Sequence, residues 1–138
     1  MNNSIGKILR LTIYGASHDS RVGITMKGVP AGIHLPEELF VADLERRRPK
    51  LRGETTRHEA DMPHIEGLDA NGYTTGAKID ISFINGNTRS GDYSHLKLHP
   101  RPSHADLVQR EKYGEEYNLA GGGIASGRMT VALVAAGV

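Results

Sequence analysis

The sequence contains no cysteine, which excludes thiolate catalysis, disulfide staples and cysteine-ligated zinc, and fits a reducing compartment. It has no tryptophan, and only 5% of its residues are aromatic. Platforms for single-stranded nucleic acid need exposed rings on which bases stack, so nucleic acid is not an expected partner. An excess of one charge is missing too. Lys and Arg total 17 against 16 Asp and Glu, for a formal net charge of +1, so any anion site must be local rather than a property of the whole surface. No apolar run approaches the roughly 20 residues that span a bilayer. Met1 to Gly6 also lacks the apolar stretch of a secretion signal. The expectation is a protein of the cytoplasm with no membrane partner.

What is present suits one domain over 1–138, long enough to bury roughly two-thirds of its unfolded surface. Lys7 to Ile13 alternates Leu9, Leu11 and Ile13 with Arg10 and Thr12, the period of a half-buried strand. It ends at Gly15. A loop, Ala16-Ser17-His18-Asp19, precedes a second extended stretch from Arg21 to Gly28. Loops at strand ends are where rigid scaffolds place reactive side chains, yet adjacent Ser, His and Asp cannot line up as nucleophile, base and orienter. Pro36 suits the first position of a helix, with Glu37 and Glu38 at its positive end, Leu39, Phe40 and Leu44 as its apolar face, and Arg46 to Arg48 before the stop at Pro49. Asn71-Gly72 signals a hairpin turn, and Ile79, Ile81 and Phe83 alternate inward along the strand that follows. Residues 85–92 read as a loop.

Between Arg46 and His58 the chain carries Arg46, Arg47, Arg48, Lys50, Arg52 and Arg57 against Glu54 alone. Such a run is either a solvated face or a basic arm that closes over a multiply anionic ligand, for which the arginine fork is suited. His58, Glu59, Asp61 and His64 have the residue types of metal ligands, but Pro63 breaks any helix that would gather them, and no metal is expected.

The densest chemistry lies between Arg101 and Arg128. Pro100 and Pro102 make the approach to His104 stiff and extended, with Ser103 a candidate cap for a helix through Asp106 to Tyr113. Gly121, Gly122 and Gly123 are either a phosphate- or flavin-accepting loop before a helix or a tight chain crossing. The apolar run from Val131 to Val138 must insert into the core or await a partner or further sequence.

In this order the elements resemble those of chorismate synthases along nearly the whole chain: Gly15-x-Ser17-His18, VPAG with its helix and RRRP arm, the TTG turn at 74–76, Asn85 with Arg89, Ser90, Asp92 and Tyr93, RPxHAD, KYG, GGG, and Ser126-x-Arg128 before a helix with VAAG. The resemblance implies an α+β fold of antiparallel sheet packed on helices, the N-terminal part of that family's sandwich, in a homo-oligomer, a tetramer in the family. It implies anti 1,4-elimination of phosphate from 5-enolpyruvylshikimate 3-phosphate to give chorismate, on the shikimate route to aromatic amino acids. Reduced FMN is needed but not consumed. His18 would assist the departing phosphate and His104 would protonate or stabilise the reduced flavin. Ser17, Arg47, Arg101 and Arg128 would hold phosphate and carboxylates, and Ile124, Ala125 and Ser126 would touch the flavin. The arm arginines would meet NADPH in members that reduce their own flavin.

The chain also departs from the family pattern. GESHG is GASHD here, with Ala16 and Asp19; RPGHAD has Ser103 in place of glycine; Gly53 stands where an arm arginine is usual; and RSSAR is replaced by IASGR at 124–128. Family members are longer, and the remainder of their flavin site has no counterpart in these residues. An inactive assembly or anion-binding module is the alternative. A nucleotide-binding loop is a third reading, since 122–129 nearly matches GxxxxGK[ST] but has Arg128 for lysine and Met129 for the hydroxyl.

Overall fold

The computed structural model describes residues 3–138 apart from 56, 87–98, 116 and 119. Five strands form one antiparallel sheet: β1 (Ser4–Ile5), β2 (Arg10–Gly15), β3 (Arg21–Lys27), β4 (His64–Glu66) and β5 (Ile79–Ile84), in the order β1-β2-β3-β5-β4. Among the described residues three α-helices accompany it, α1 (Glu38–Arg47), α2 (Asp106–Tyr113) and α3 (Thr130–Ala136). The expected α+β class is what the chain adopts.

The register explains why one face is apolar. Val22, Ile24 and Met26 of β3 stand beside Phe83, Ile81 and Ile79 of β5, and Leu11 and Ile13 of β2 pair with Met26 and Ile24. Because side chains alternate along a strand, all of these point to the same side. There they meet Phe40 and Leu44 of α1 and Val131, Ala132 and Ala135 of α3. One face of the C-terminal apolar run therefore inserts into this chain's own core, where Val131 and Ala132 are fully buried, while Leu133 and Val138 stay exposed. Among the described residues no helix is long and apolar enough to cross a membrane.

Two expected apolar positions differ. Leu9 lies in a bend before β2 rather than in the strand, and Leu39 falls on the outer side of α1; both are about half exposed. The hydrophobic stripe of α1 is narrower than expected, because of its residues Phe40 and Leu44 alone are buried in the core. The helix starts two residues after Pro36, whose carbonyl accepts from Leu39 N at 3.1 Å. It stops where Pro49 forces Arg48 into an extended conformation, with ψ 144°. The Asn71-Gly72 turn is present: Asp69 Oδ1 accepts from Asn71 N and Tyr73 N, both at 2.9 Å, and Gly72 has φ 80°.

The outer face of the sheet carries polar pairs. The Tyr14 hydroxyl donates to the Asp80 carboxylate at 2.6 Å, its ring lying over Gly23 where a Cβ would collide with it. Burial first, then the hydrogen bond to Asp80, pushes the Tyr14 hydroxyl well above its ordinary value. The folded chain thus keeps a proton that the unfolded chain releases above about pH 10. Stability from this group is complete below that pH and is lost as pH rises towards the folded-state value. Urea midpoints measured from about pH 9 upward should fall, and Tyr14→Phe should flatten that alkaline slope while costing about 1 kcal/mol at neutral pH.

Candidate active site

The turn Ala16–Asp19 sits at the end of β2, and Ser17 is buried with 2% of its surface exposed. Three parts of the chain fix it. Arg57 Nη1 donates to both the carbonyl and the hydroxyl oxygen of Ser17 at 2.9 Å. Asn85 Nδ2 donates to the carbonyls of Asp19 at 2.8 Å and Ala16 at 3.3 Å, and Asn85 N donates to the Ser20 carbonyl. Ser17 N donates to the Gly123 carbonyl at 3.2 Å. Arg57 is itself aligned by Glu59, which holds its Nε at 2.8 Å through Oε1 and takes Gly86 N through Oε2.

The glycines are the tight crossing, one of the two readings open from the sequence. All three have positive φ, and a Cβ at Gly121 would collide with the His18 ring and Ser17 Oγ. They do not feed an α-helix N-terminus directly. Tight turns over 120–125 and 127–129 intervene before α3. Gly121 provides a close approach, its backbone packing against the His18 ring where any side chain would push it away, and Gly123 lies as close to the Asn118 carbonyl. Asp19, the acidic residue in place of the family's glycine, turns its carboxylate to Asn118 Nδ2 at 3.0 Å and so clasps the turn to the segment that leads into the glycines.

A second cluster continues from Asn85. Its Oδ1 accepts from Arg128 Nε at 2.9 Å, and Arg128 Nη1 makes a short ion pair with Asp61 Oδ1. Asp61 Oδ2 accepts from Arg47 Nη1 at 2.8 Å. Arg47, from the last turn of α1, also reaches Thr130 Oγ1 at the start of α3. Burial, reinforced by the neighbouring Arg128 charge and opposed by Asp61, holds the Arg47 guanidinium below its ordinary value. The inward orientation of Arg128 and the burial of Met129 at 5% exposure remove the two positions that a nucleotide-binding loop would present to phosphate and magnesium.

The structure thus brings Ser17, His18, Arg47 and Arg128 into one connected region, with Ser126 at its edge. Ser126 Oγ accepts from Arg128 N at 3.3 Å and caps the turn. Ile124 is half-buried, its N–H donating to the Tyr117 hydroxyl, whereas Ala125 is exposed and nothing stands over Gly127. The surface beside Ala125 and Gly127 is therefore open.

His104 and Arg101 are engaged with their own turn. Arg101 makes a bidentate pair with Asp106 at 2.7 and 2.8 Å, which first among its causes holds the Asp106 carboxyl below its ordinary value. His104 is exposed, with Nδ1 3.0 Å from the Pro102 carbonyl. The approach to His104 is not extended. Arg101 carbonyl accepts from His104 N, and Ser103 has φ 60° at the third position of this turn. Nor is Ser103 a helix cap: α2 begins after Ala105 without a side-chain cap. Left-handed backbone suits glycine, the family's residue here. Ser103→Gly should raise stability by up to about 1 kcal/mol, the relief of strain offset in part by unfolded-state entropy; chemical denaturation reads this directly.

Of the arm, Arg46 pairs with Asp43 and Arg48 with Glu45 on the exposed side of α1, while Arg47 and Arg57 turn inward. Glu59 and Asp61, weighed above as metal ligands, are arginine partners. Of the Asn85 loop, Arg89, Ser90, Asp92 and Tyr93 lie outside the described residues.

The family model for chorismate synthase matches residues 9–138. A chorismate synthase of Chitinophaga pinensis is 50% identical over 136 residues, covering 99% of this chain and 41% of that protein. One of Ignicoccus hospitalis is 46% identical over 136 residues, covering 98% of this chain and 36% of its own length. A crystal structure of chorismate synthase shares the fold, with a TM-score of 0.55 at 23% identity over 95% of this chain and 32% of the other. The chain therefore spans about two-fifths or less of the relatives it matches, and it belongs to the chorismate synthase family.

Proposed function

We propose that these residues build the phosphate-departure side of a chorismate synthase active site, acting on 5-enolpyruvylshikimate 3-phosphate. The observation that carries this reading is the continuity of the site: Asn85 ties the Ser17-His18 turn to Arg128, and Asp61 ties Arg128 to Arg47. In a 1,4-elimination the C–O bond to phosphate breaks with its electron pair on the leaving oxygen, a proton leaves the 1,4-related carbon, and the ring gains a double bond. His18 would donate a proton to the departing phosphate, since an imidazole titrates near working pH. Ser17, Arg47 and Arg128 would hold phosphate and carboxylate in bidentate or charge-assisted contacts. Arg101 would join them at the substrate carboxylates.

Reduced FMN, when bound, supplies the electron-rich ring that the chemistry requires. Ile124, Ala125 and Ser126 would line one side of it and His104 would protonate or stabilise it. NADPH would meet the exposed arm arginines. A homo-oligomer in the cytoplasm completes the reading. The test is a titration of oxidised FMN into the protein with and without the substrate, followed by flavin fluorescence. Quenching enhanced by substrate and weakened in His18→Ala is expected. No binding at high concentrations of both ligands would remove the enzyme reading for this chain and favour an inactive assembly module.

A further inference from the structure

Asp61 is a buried carboxylate, 3% exposed, shared between two guanidiniums. Its backbone has φ 50°, a conformation that Asp and Asn tolerate better than other side chains. The local charges do not balance. Arg57 is matched by Glu59, but Arg47 and Arg128 together have Asp61 alone as a bonded carboxylate among the described residues. Their hydrogen-bonding capacity is also incompletely used. Arg128 Nη2 and Arg47 Nε are buried with no hydrogen-bond partner among the described residues, although the Arg128 side chain is only 5% exposed. Buried guanidinium N–H groups are nearly always paired, so these two donors leave Arg47 and Arg128 with capacity for a further acceptor.

We propose that Asp61 is the resting counter-ion of this anion site: it holds Arg47 and Arg128 in the free protein and competes with a phosphate-class dianion for them, thereby setting the site's affinity. The proposal rests on the reading of Arg47 and Arg128 as anion ligands. Carboxylate and phosphate address the arginine fork in the same way, so the two acceptors are interchangeable in geometry and differ in charge. A carboxylate beside the incoming dianion repels it, and an amide of the same shape does not.

The test uses inorganic phosphate as probe and compares the unmodified chain with Asp61→Asn by calorimetry and by phosphate-dependent melting at constant ionic strength. Asp61→Asn should melt lower without phosphate, gain more from phosphate, and bind it at least about tenfold more tightly. Equal or weaker binding by a folded Asp61→Asn would overturn the proposal and leave the carboxylate a purely structural brace. Should that variant not fold, the 13Cγ resonance of Asp61 in the unmodified chain decides. A saturable shift on phosphate titration supports the competition, and an unmoved resonance under bound phosphate overturns it. Arg47→Met separates the underlying reading: undiminished phosphate binding in that variant removes Arg47 as an anion ligand, whatever Asp61 does.

Discussion

Replacing Arg128 by methionine is expected to lower the free energy of unfolding by about 3–5 kcal/mol. Methionine approximates the volume of the aliphatic stem, so the loss comes from the polar groups left behind rather than from a cavity. Asn85 Oδ1 and Asp61 Oδ1 each lose a buried charged donor, and Asp61 is then held by Arg47 alone. Removing one member of a buried pair leaves its partner desolvated, which costs far more than the pair contributes net. Arg128→Lys should recover only part of the loss, because a point charge cannot serve Asn85 and Asp61 together as the fork does. Urea unfolding with unchanged slope reads the effect as a shifted midpoint. A loss below about 1 kcal/mol would mean that the network is solvated rather than buried.

Gly121→Ala is expected to cost about 2–5 kcal/mol and to displace the His18 ring. Two penalties coincide at this position. The backbone has φ 60°, which an L side chain adopts only with strain, and the new methyl would overlap the imidazole and Ser17 Oγ. Either the glycine turn or the histidine must move. Gly127→Ala is the matched control, because nothing lies within 4 Å of a Cβ there, and its effect should stay within about 0.5 kcal/mol. The His18 ring proton resonances report whether the imidazole has shifted. Unchanged resonances and stability in Gly121→Ala would contradict the close crossing.

The sheet and α1 were legible because their signals are local. Ile79, Ile81 and Phe83 repeat with the period of a strand, Asn71-Gly72 supplies the positive φ of its turn, and Pro36 and Pro49 bracket the helix. Leu39 was misread because an apolar residue adjacent to a core stripe looks like part of it until the partner surface is known. The glycines announced close approach but not their neighbour, since no pattern in 121–123 names His18. The charged network was the least legible part. Asp61 and Arg128 are 67 residues apart, and nothing near either one specifies the other. Glu59 and Asp61 therefore looked like a poor metal set instead of the counter-charges for Arg57, Arg47 and Arg128. An imbalance was nevertheless readable: an arm rich in arginine followed directly by two carboxylates is a motif for internal pairing as much as for ligand binding. Ser103 misled for a different reason. Serine is a common helix cap, but here the buried Asp106 pulls back to Arg101 N and its guanidinium, and the serine is left in a glycine-type turn.

The central claim is that the arginine pair beside the Ser17-His18 turn receives the anionic groups of the substrate. Calorimetric titration of 5-enolpyruvylshikimate 3-phosphate into the unmodified chain and into Arg47→Met tests it most directly, because Arg47 stands at the edge of the cluster with 20% of its side chain exposed and its removal spares the Arg128–Asn85 contact. The account predicts saturable binding that weakens about tenfold or more in the variant, the loss of one charge-assisted contact. Equal affinity in the two proteins would contradict it, and would assign the arginine cluster to the fold alone.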